Sequence, residues 1–295
     1  MQYNGSVKKG NFMKRLIIIL LSCLLPFAVL AEQASQKETE RDFFDSKASY
    51  NRSIRLPNGK QLQFYAQNSP EWAKLYYTEK PLGFINFGDG GCVPTALANA
   101  LINLVDVQEL PRLRELSRHD YMLDSMAVNA RLGKPFRSKF VLDGAEDYTR
   151  FLPLVLGQYF IGNNPFRSNG FKSTSFYKDV MDKMNLHYEQ LNSIHDADAV
   201  LARGGYVITS SGGWNSPISQ GGHYFLLVSK DSEYVYFLDS LVRQSYKKDF
   251  QKIIEIVEPG LVRVRIENIK KLKLNKLMAV YSDSDKQLRV PMRME

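Results

Sequence analysis

Gly221-Gly222-His223-Tyr224-Phe225-Leu226-Leu227-Val228-Ser229-Lys230-Asp231-Ser232-Glu233-Tyr234-Val235-Tyr236-Phe237-Leu238-Asp239 is the stretch that decides the fold of this 295-residue chain. Aromatic and β-branched residues fill positions 224–229 and 234–239, and the polar positions 230–233 between them read as a tight turn, so the two runs form an antiparallel hairpin. His223 opens the first strand and Asp239 ends the second, which brings the two side by side. Asp239 is there expected to accept the Nδ1–H of the imidazole and set its tautomer. The glycine pair ahead of the strand, Gly222 in particular, lets another segment or a ligand approach closely.

Outward from the hairpin, residues 206–209, 253–257, 261–266 and 277–281 read as further strands. The chain before them is helical in pattern. Residues 94–105 place Ala96, Leu97, Ala100, Leu101 and Leu104 at helical spacing. Residues 108–132 read as a charged helix, and residues 175–185 and 197–201 as short ones. Residues 61–65 alternate as a strand leading into Gln67. Helices first and an antiparallel sheet later define an α+β fold. No linker or internal repeat interrupts residues 53–295, which read as one domain long enough for a sizeable core.

Within the helical part stands Gly88-Asp89-Gly90-Gly91-Cys92-Val93-Pro94-Thr95-Ala96-Leu97. The glycines, Gly91 above all, keep the approach clear, and Cys92 sits at the mouth of a helix. A helix start carries partial positive charge and unsatisfied N–H groups. Both favour a thiolate, and the same N–H groups can stabilise an oxyanion on an attacked carbonyl. A thiol nucleophile needs a base. His119 lies in a charged run and reads as solvated, and His187 and His195 read as surface residues, which leaves His223.

The chain opens differently. Leu16-Ile17-Ile18-Ile19-Leu20-Leu21-Ser22-Cys23-Leu24-Leu25-Pro26-Phe27-Ala28-Val29-Leu30-Ala31 follows Lys8, Lys9, Lys14 and Arg15 and precedes Glu32. A basic start, a short apolar core and a small-residue exit read as a secretory signal peptide over residues 1–31. Met13 opens the Met-Lys-Arg that looks like its natural start. The run is shorter than the roughly 20 residues a membrane-spanning helix needs, so no span is expected after cleavage. Leu20-Leu21-Ser22-Cys23 weakly resembles a bacterial lipobox, which makes a lipid anchor at Cys23 the lesser alternative. The expected location is periplasmic or secreted. Residues 32–52 are polar without apolar period and read as a flexible leader.

Composition fits this reading. With 44% hydrophobic and 24% charged residues the chain is globular rather than disordered or collagenous. Four of its 39 basic residues and none of its 31 acidic ones lie in the signal segment, so cleavage halves the formal charge of +8 and removes the main support for nucleic-acid binding. Cleavage also removes Cys23, one of two cysteines, leaving a single thiol in a compartment that oxidises thiols.

The order of Cys92 at a helix mouth, Gly-Gly-His223 on a strand and Asp239 at the end of the next resembles the papain-like cysteine peptidases, and the peptidase C39-like family in particular. Tyr65-Ala66-Gln67-Asn68-Ser69-Pro70-Glu71-Trp72-Ala73 is similar to that family's Gln-x-x-Pro-x-Trp segment, and Gly91-Cys92-Val93-Pro94-Thr95-Ala96-Leu97-Ala98 to its Gly-Cys-Gly-Pro-Thr segment. Residues 221–228 with Phe237-Leu238-Asp239 resemble its histidine and aspartate strands, and residues 204–208 the strand leading up to the histidine. The resemblance spans residues 61–240. It implies a papain-like fold and a thiolate–imidazolium pair attacking an amide carbonyl, with Asp239 orienting His223 and Gln67 as oxyanion donor. Asn86 is the alternative donor. Two departures stand out: Val93 replaces the family's glycine and would crowd the thiol, and Asp89 would oppose a thiolate if it faced inward.

The expected substrate is a peptide or protein, including cell-wall peptide, and no cofactor or metal is expected. Trp214, in a polar loop before His223, is a candidate for the substrate cleft. Walker, zinc-protease and serine-hydrolase motifs are absent from the sequence. The rival readings are a cell-wall peptide hydrolase or an acyl transferase on the same site, and an inactive C39-like binding module. The run Lys270, Lys271, Lys273, Lys276 reads as a solvated face, with surface binding a weaker rival.

Overall fold

The computed structural model describes residues 52–70, 72–73, 76–80, 83–116, 144–162, 174–211, 222–243, 245–246 and 250–282. The signal segment, nearly all of the leader, His119 and Trp214 lie outside the described residues. All described residues belong to one unit, Asp45–Glu295. The architecture is α+β: helices packed on an antiparallel sheet.

The sheet has seven strands. In chain order they are β5 (His187–Gln190), β6 (Tyr206–Ser211), β7 (His223–Lys230), β8 (Tyr234–Asp239), β9 (Ile254–Glu258), β10 (Leu261–Arg265) and β11 (Leu274–Tyr281). In space they run β5-β11-β6-β7-β8-β10-β9. Every pairing within the sheet is antiparallel. Side chains alternate between its faces, and here both faces are covered. Tyr206, Ile208, Leu226, Val228, Tyr236, Leu238, Met278 and Val280 join one apolar cluster. Their neighbours Val207, Phe225, Leu227, Val235, Phe237, Leu277 and Ala279 join another. Two-sided burial explains why β7 and β8 read as unbroken apolar runs rather than alternating ones.

The first cluster is completed by β1 (Arg52–Arg55) and β2 (Gln61–Phe64), which pair with each other, and by helices. These are α1 (Phe87–Gly90), a single turn, α2 (Cys92–Leu101), α3 (Gly144–Arg150), α4 (Leu152–Gly162) and α5 (Thr174–Lys183). A separate hairpin, β3 (Tyr76–Lys80) with β4 (Gly83–Asn86), leads into α1. The second cluster lies under α6 (Ala197–Ala202) and the 3₁₀ segment Ile266–Leu272.

Helix α2 is buried at every position from Val93 to Leu101. It packs against α4 and the sheet, so apolar burial rather than helix propensity holds it. Its polar residues must then be satisfied inside. Thr95 Oγ1 donates to the Gly91 carbonyl at 2.7 Å. Asn99 Oδ1 accepts the Tyr65 N–H at 2.7 Å, and Asn99 Nδ2 donates to the Tyr65 carbonyl at 3.1 Å. One turn on, Asn103 makes the same two bonds to Gln63, both at 2.8 Å. Two asparagines at i and i+4 thus act as a substitute strand along the outer edge of β2, and they hold the segment running into Gln67 against the helix that carries Cys92.

Several expectations are revised. Strand β1 begins at Arg52, inside the segment read as leader. The expected helix from residue 108 is a 3₁₀ run, Val107–Leu116, because Pro111 inside it lacks the N–H an α-helix needs. Its continuation, 117–132, lies outside the described residues. The strand expected to end at Ile266 ends at Arg265 and gives way to the 3₁₀ segment. His187 is exposed, as expected, and lies on the edge strand β5 with its ring stacked on Tyr281.

Replacing Asn99 by Ala removes the partner of both the N–H and the C=O of buried Tyr65. We predict a loss of about 2–4 kcal/mol in the free energy of unfolding, measured in urea. Asn103→Ala, at the more exposed position, should cost less than half as much. Equal losses would contradict the clamp.

Candidate functional site

The local chain before the thiol is shaped by close contact. Gly91 precedes α2 and donates its N–H to the Phe87 carbonyl at 2.7 Å. A Cβ on Gly91 would lie 2.5 Å from the Phe87 ring and 2.7 Å from the Phe87 oxygen, so only glycine fits. This buried glycine therefore sets the turn that delivers Cys92 as the first residue of a ten-residue helix. Cys92 is half-buried and carries a free thiol. Neither departure from the family pattern intrudes. Val93 is turned into the core, 5% exposed, rather than crowding the thiol, and Asp89 faces solvent.

His223 is buried, its ring is hydrogen-bonded to Asp239, and Cys92 is among the groups that act on its titration. Its Nε2 lies 2.6 Å from Asp239 Oδ1. The sequence reading put Asp239 on Nδ1, and the structure corrects this. Asp239 pairs with Phe225, not with His223, and reaches the histidine diagonally across the hairpin; which ring nitrogen it meets follows from the rotation of the imidazole. The Phe225 ring meets the imidazole edge-on, with centroids 5.2 Å apart. Gly222, just before the histidine, has φ +82°, a conformation that favours glycine.

Two residues that sequence reading missed complete the site. Tyr246 donates its hydroxyl to Asp239 Oδ2, and Arg243 Nε lies 3.3 Å from the same oxygen. Leu241 N–H donates to Oδ1 at 3.0 Å. The spacing Asp-x-x-x-Arg-x-x-Tyr is visible in the sequence, but its meaning depends on the chain turning back after β8. A buried carboxylate is costly unless paired and hydrogen-bonded, and Asp239 has three hydrogen-bond partners, His223, Leu241 and Tyr246, together with the charge of Arg243. Burial alone would raise its pKa. The charges of His223 and Arg243, then the hydrogen bonds from His223 and Tyr246, overcome this and hold it below the usual carboxylate range. Burial alone would lower the pKa of His223. The Asp239 charge and hydrogen bond, followed by those of Cys92, reverse that and raise it.

Gln67 is buried beside this group. Its Nε2 donates to the Gly88 carbonyl at 2.8 Å, and its backbone N–H donates to the Ser240 carbonyl at 2.7 Å. It therefore links the turn before Cys92 to the residue after Asp239, with a second Nε2 proton remaining on the amide. Asn86 ends β4 and makes no capping hydrogen bond with its side chain. Trp214 lies outside the described residues. A cavity of about 250 Å³ lined by Ile194, Leu201, Leu227, Val235, Ile269 and Lys270 includes none of the site residues.

Among the described residues, no group of three or more His, Cys, Asp and Glu could hold a metal ion, and no helix is long and apolar enough to cross a membrane.

The two pKa shifts set a pH window for stability. Asp239, lowered from 3.8, contributes fully above that value and loses its contribution as pH falls through the folded value. His223, raised from 6.5, contributes fully below that value and loses its contribution as pH rises through the folded value. The stability of the wild type over the His223→Gln/Asp239→Asn double variant should therefore peak between these two pH values in urea unfolding. A pH-independent difference would rule out a charged pair.

Comparison with family models, curated proteins and solved structures returns no match for this chain.

Proposed function

We propose that this chain is an exported cysteine hydrolase of papain-like architecture, similar to the C39-like peptidases, acting on amide bonds of peptides or proteins. The observation that carries the reading is the buried, hydrogen-bonded His223–Asp239 pair on the sheet, with Cys92 opening the buried helix that packs on the same strand, β7.

In this mechanism the Cys92 proton passes to His223, whose Nδ1 is left for the thiol because Nε2 is held by Asp239. The thiolate attacks the carbonyl carbon. The oxyanion meets the first N–H groups of α2, which have no carbonyl partner within the helix, and the Gln67 amide. His223 then protonates the departing amine, giving a thioester. Water, deprotonated by His223, cleaves the thioester and regenerates the thiol. Gln67 is favoured over Asn86 as donor because its amide is bonded to Gly88, in the turn that delivers Cys92.

Iodoacetamide should label Cys92 faster than a free thiol near neutral pH. With a substrate found by profiling peptides, Cys92→Ala should abolish hydrolysis with the unfolding midpoint unchanged, and Gln67→Ala should lower kcat by about 10²–10³. Full activity in Cys92→Ala would overturn the reading.

A further inference from the structure

The lysine run that reads as one solvated face is divided by the fold. Lys271 Nζ donates to Asn268 Oδ1 at 2.7 Å, whereas Lys276 is turned the other way, toward the site. Strand β11 pairs Leu274 with Ser211 and Asn275 with Ser210, then resumes only at Met278 with Ile208. Two residues thus oppose one across this break, the pattern of a β-bulge, which re-aims a side chain. Lys276 lies in the bulge with φ +51°, a left-handed conformation that a long side chain rarely adopts. The bulge is pinned by Thr209 Oγ1 on the Asn275 carbonyl at 3.1 Å and by Ser210 Oγ on the Asn275 side chain. Lys276 Nζ donates to the Tyr224 hydroxyl at 3.2 Å.

Tyr224 ties this lysine to the thiol. It follows His223 directly and pairs with Ser210 across β6 and β7. Cys92 and Tyr224 both pack against the same apolar cluster. The helix that Cys92 opens packs on β7, the strand of Tyr224. Burial raises the Tyr224 pKa first, and the charge of Cys92 adds to the rise. Lys276 itself remains exposed. A cation aimed by a bulge at the residue after His223, and held in a strained conformation, is a recognition device rather than a general solubilising charge.

We propose that Lys276, aimed by the β11 bulge onto the Tyr224 hydroxyl, is a specificity determinant that selects substrates carrying a carboxylate next to the scissile amide. This rests on Cys92 being the nucleophile. The test reads the charge preference of the thiol itself and needs no known substrate. Iodoacetate and iodoacetamide both alkylate Cys92: a C–S bond forms, the C–I bond breaks, iodide leaves and the thiol proton passes to His223. They differ in carrying a carboxylate or a neutral amide.

The ratio of the two rates should fall about threefold to fivefold in Lys276→Met, fall further in Lys276→Glu and be kept in Lys276→Arg. The preference should also shrink with added salt. Unfolding midpoints confirm that each variant is folded. An unchanged ratio in Lys276→Met and Lys276→Glu, with fast alkylation of the wild type, overturns the Lys276 assignment alone. Slow alkylation of the wild type by both reagents counts instead against the nucleophile reading. Peptide chloromethyl ketones with Glu or Gln beside the reactive residue then locate the carboxylate. A Glu/Gln rate ratio that falls in Lys276→Met assigns it to a side chain. An unchanged Glu/Gln ratio alongside a fallen iodoacetate ratio assigns it to a chain terminus.

Discussion

A helix buried on all sides constrains everything around it. Water reaches none of α2 between Val93 and Leu101, so each of its polar groups has to be answered by protein. That requirement places Asn99 against Tyr65 and Thr95 against Gly91. It fixes the turn at Phe87 and the position of Cys92 at the helix start, and it brings the segment carrying Gln67 alongside. The apolar filling around α2 contributes about 1.5–3 kcal/mol for each large side chain, far more than exposed ion pairs such as Arg112–Glu109. The site is rigid because its scaffold is the core.

Asp239 is the second constraint. Its carboxylate is 1% exposed, so the fold must supply donors to both oxygens. One comes from the hairpin, as His223. The others come from the chain that follows β8, Leu241 and Tyr246, which also brings the charge of Arg243 to the carboxylate. The histidine is thereby held by Nε2. The pairing of these residues depends on strand register and on the turn after β8 rather than on the order of residues along the chain.

Much of this was legible in the sequence, and the exceptions share a cause. Strand β8 was read with its observed bounds and β7 to within a residue, because their aromatic and β-branched residues leave no helical alternative. Helix α2 was legible from the spacing of Ala96, Leu97, Ala100 and Leu101. The short polar strand β5 was not, since His187-Tyr188-Glu189-Gln190 has no apolar pattern and is held by pairing with β11. Helix α4 escaped because Leu152–Gly162 is apolar almost throughout, which erases the 3.6-residue period. At the site, the choice of Cys92, His223 and Asp239 follows from local spacing, and that of Gln67 from the family resemblance. Arg243, Tyr246 and Lys276 depend on a turn and a bulge whose geometry no single stretch encodes. The ring nitrogen facing Asp239 is not legible either, because it depends on the rotation of the imidazole, which residue order does not encode.

The asparagine clamp has a consequence for association between molecules. A strand edge with open N–H and C=O groups invites another chain to add to it, and proteins commonly close such edges. On β2 the outward groups at Gln63 and Tyr65 are already taken by Asn103 and Asn99. The Asn99 and Asn103 side chains thus cap the edge against polymerisation at these positions, and the residues that hold the Gln67 segment against the Cys92 helix also keep this small sheet from growing.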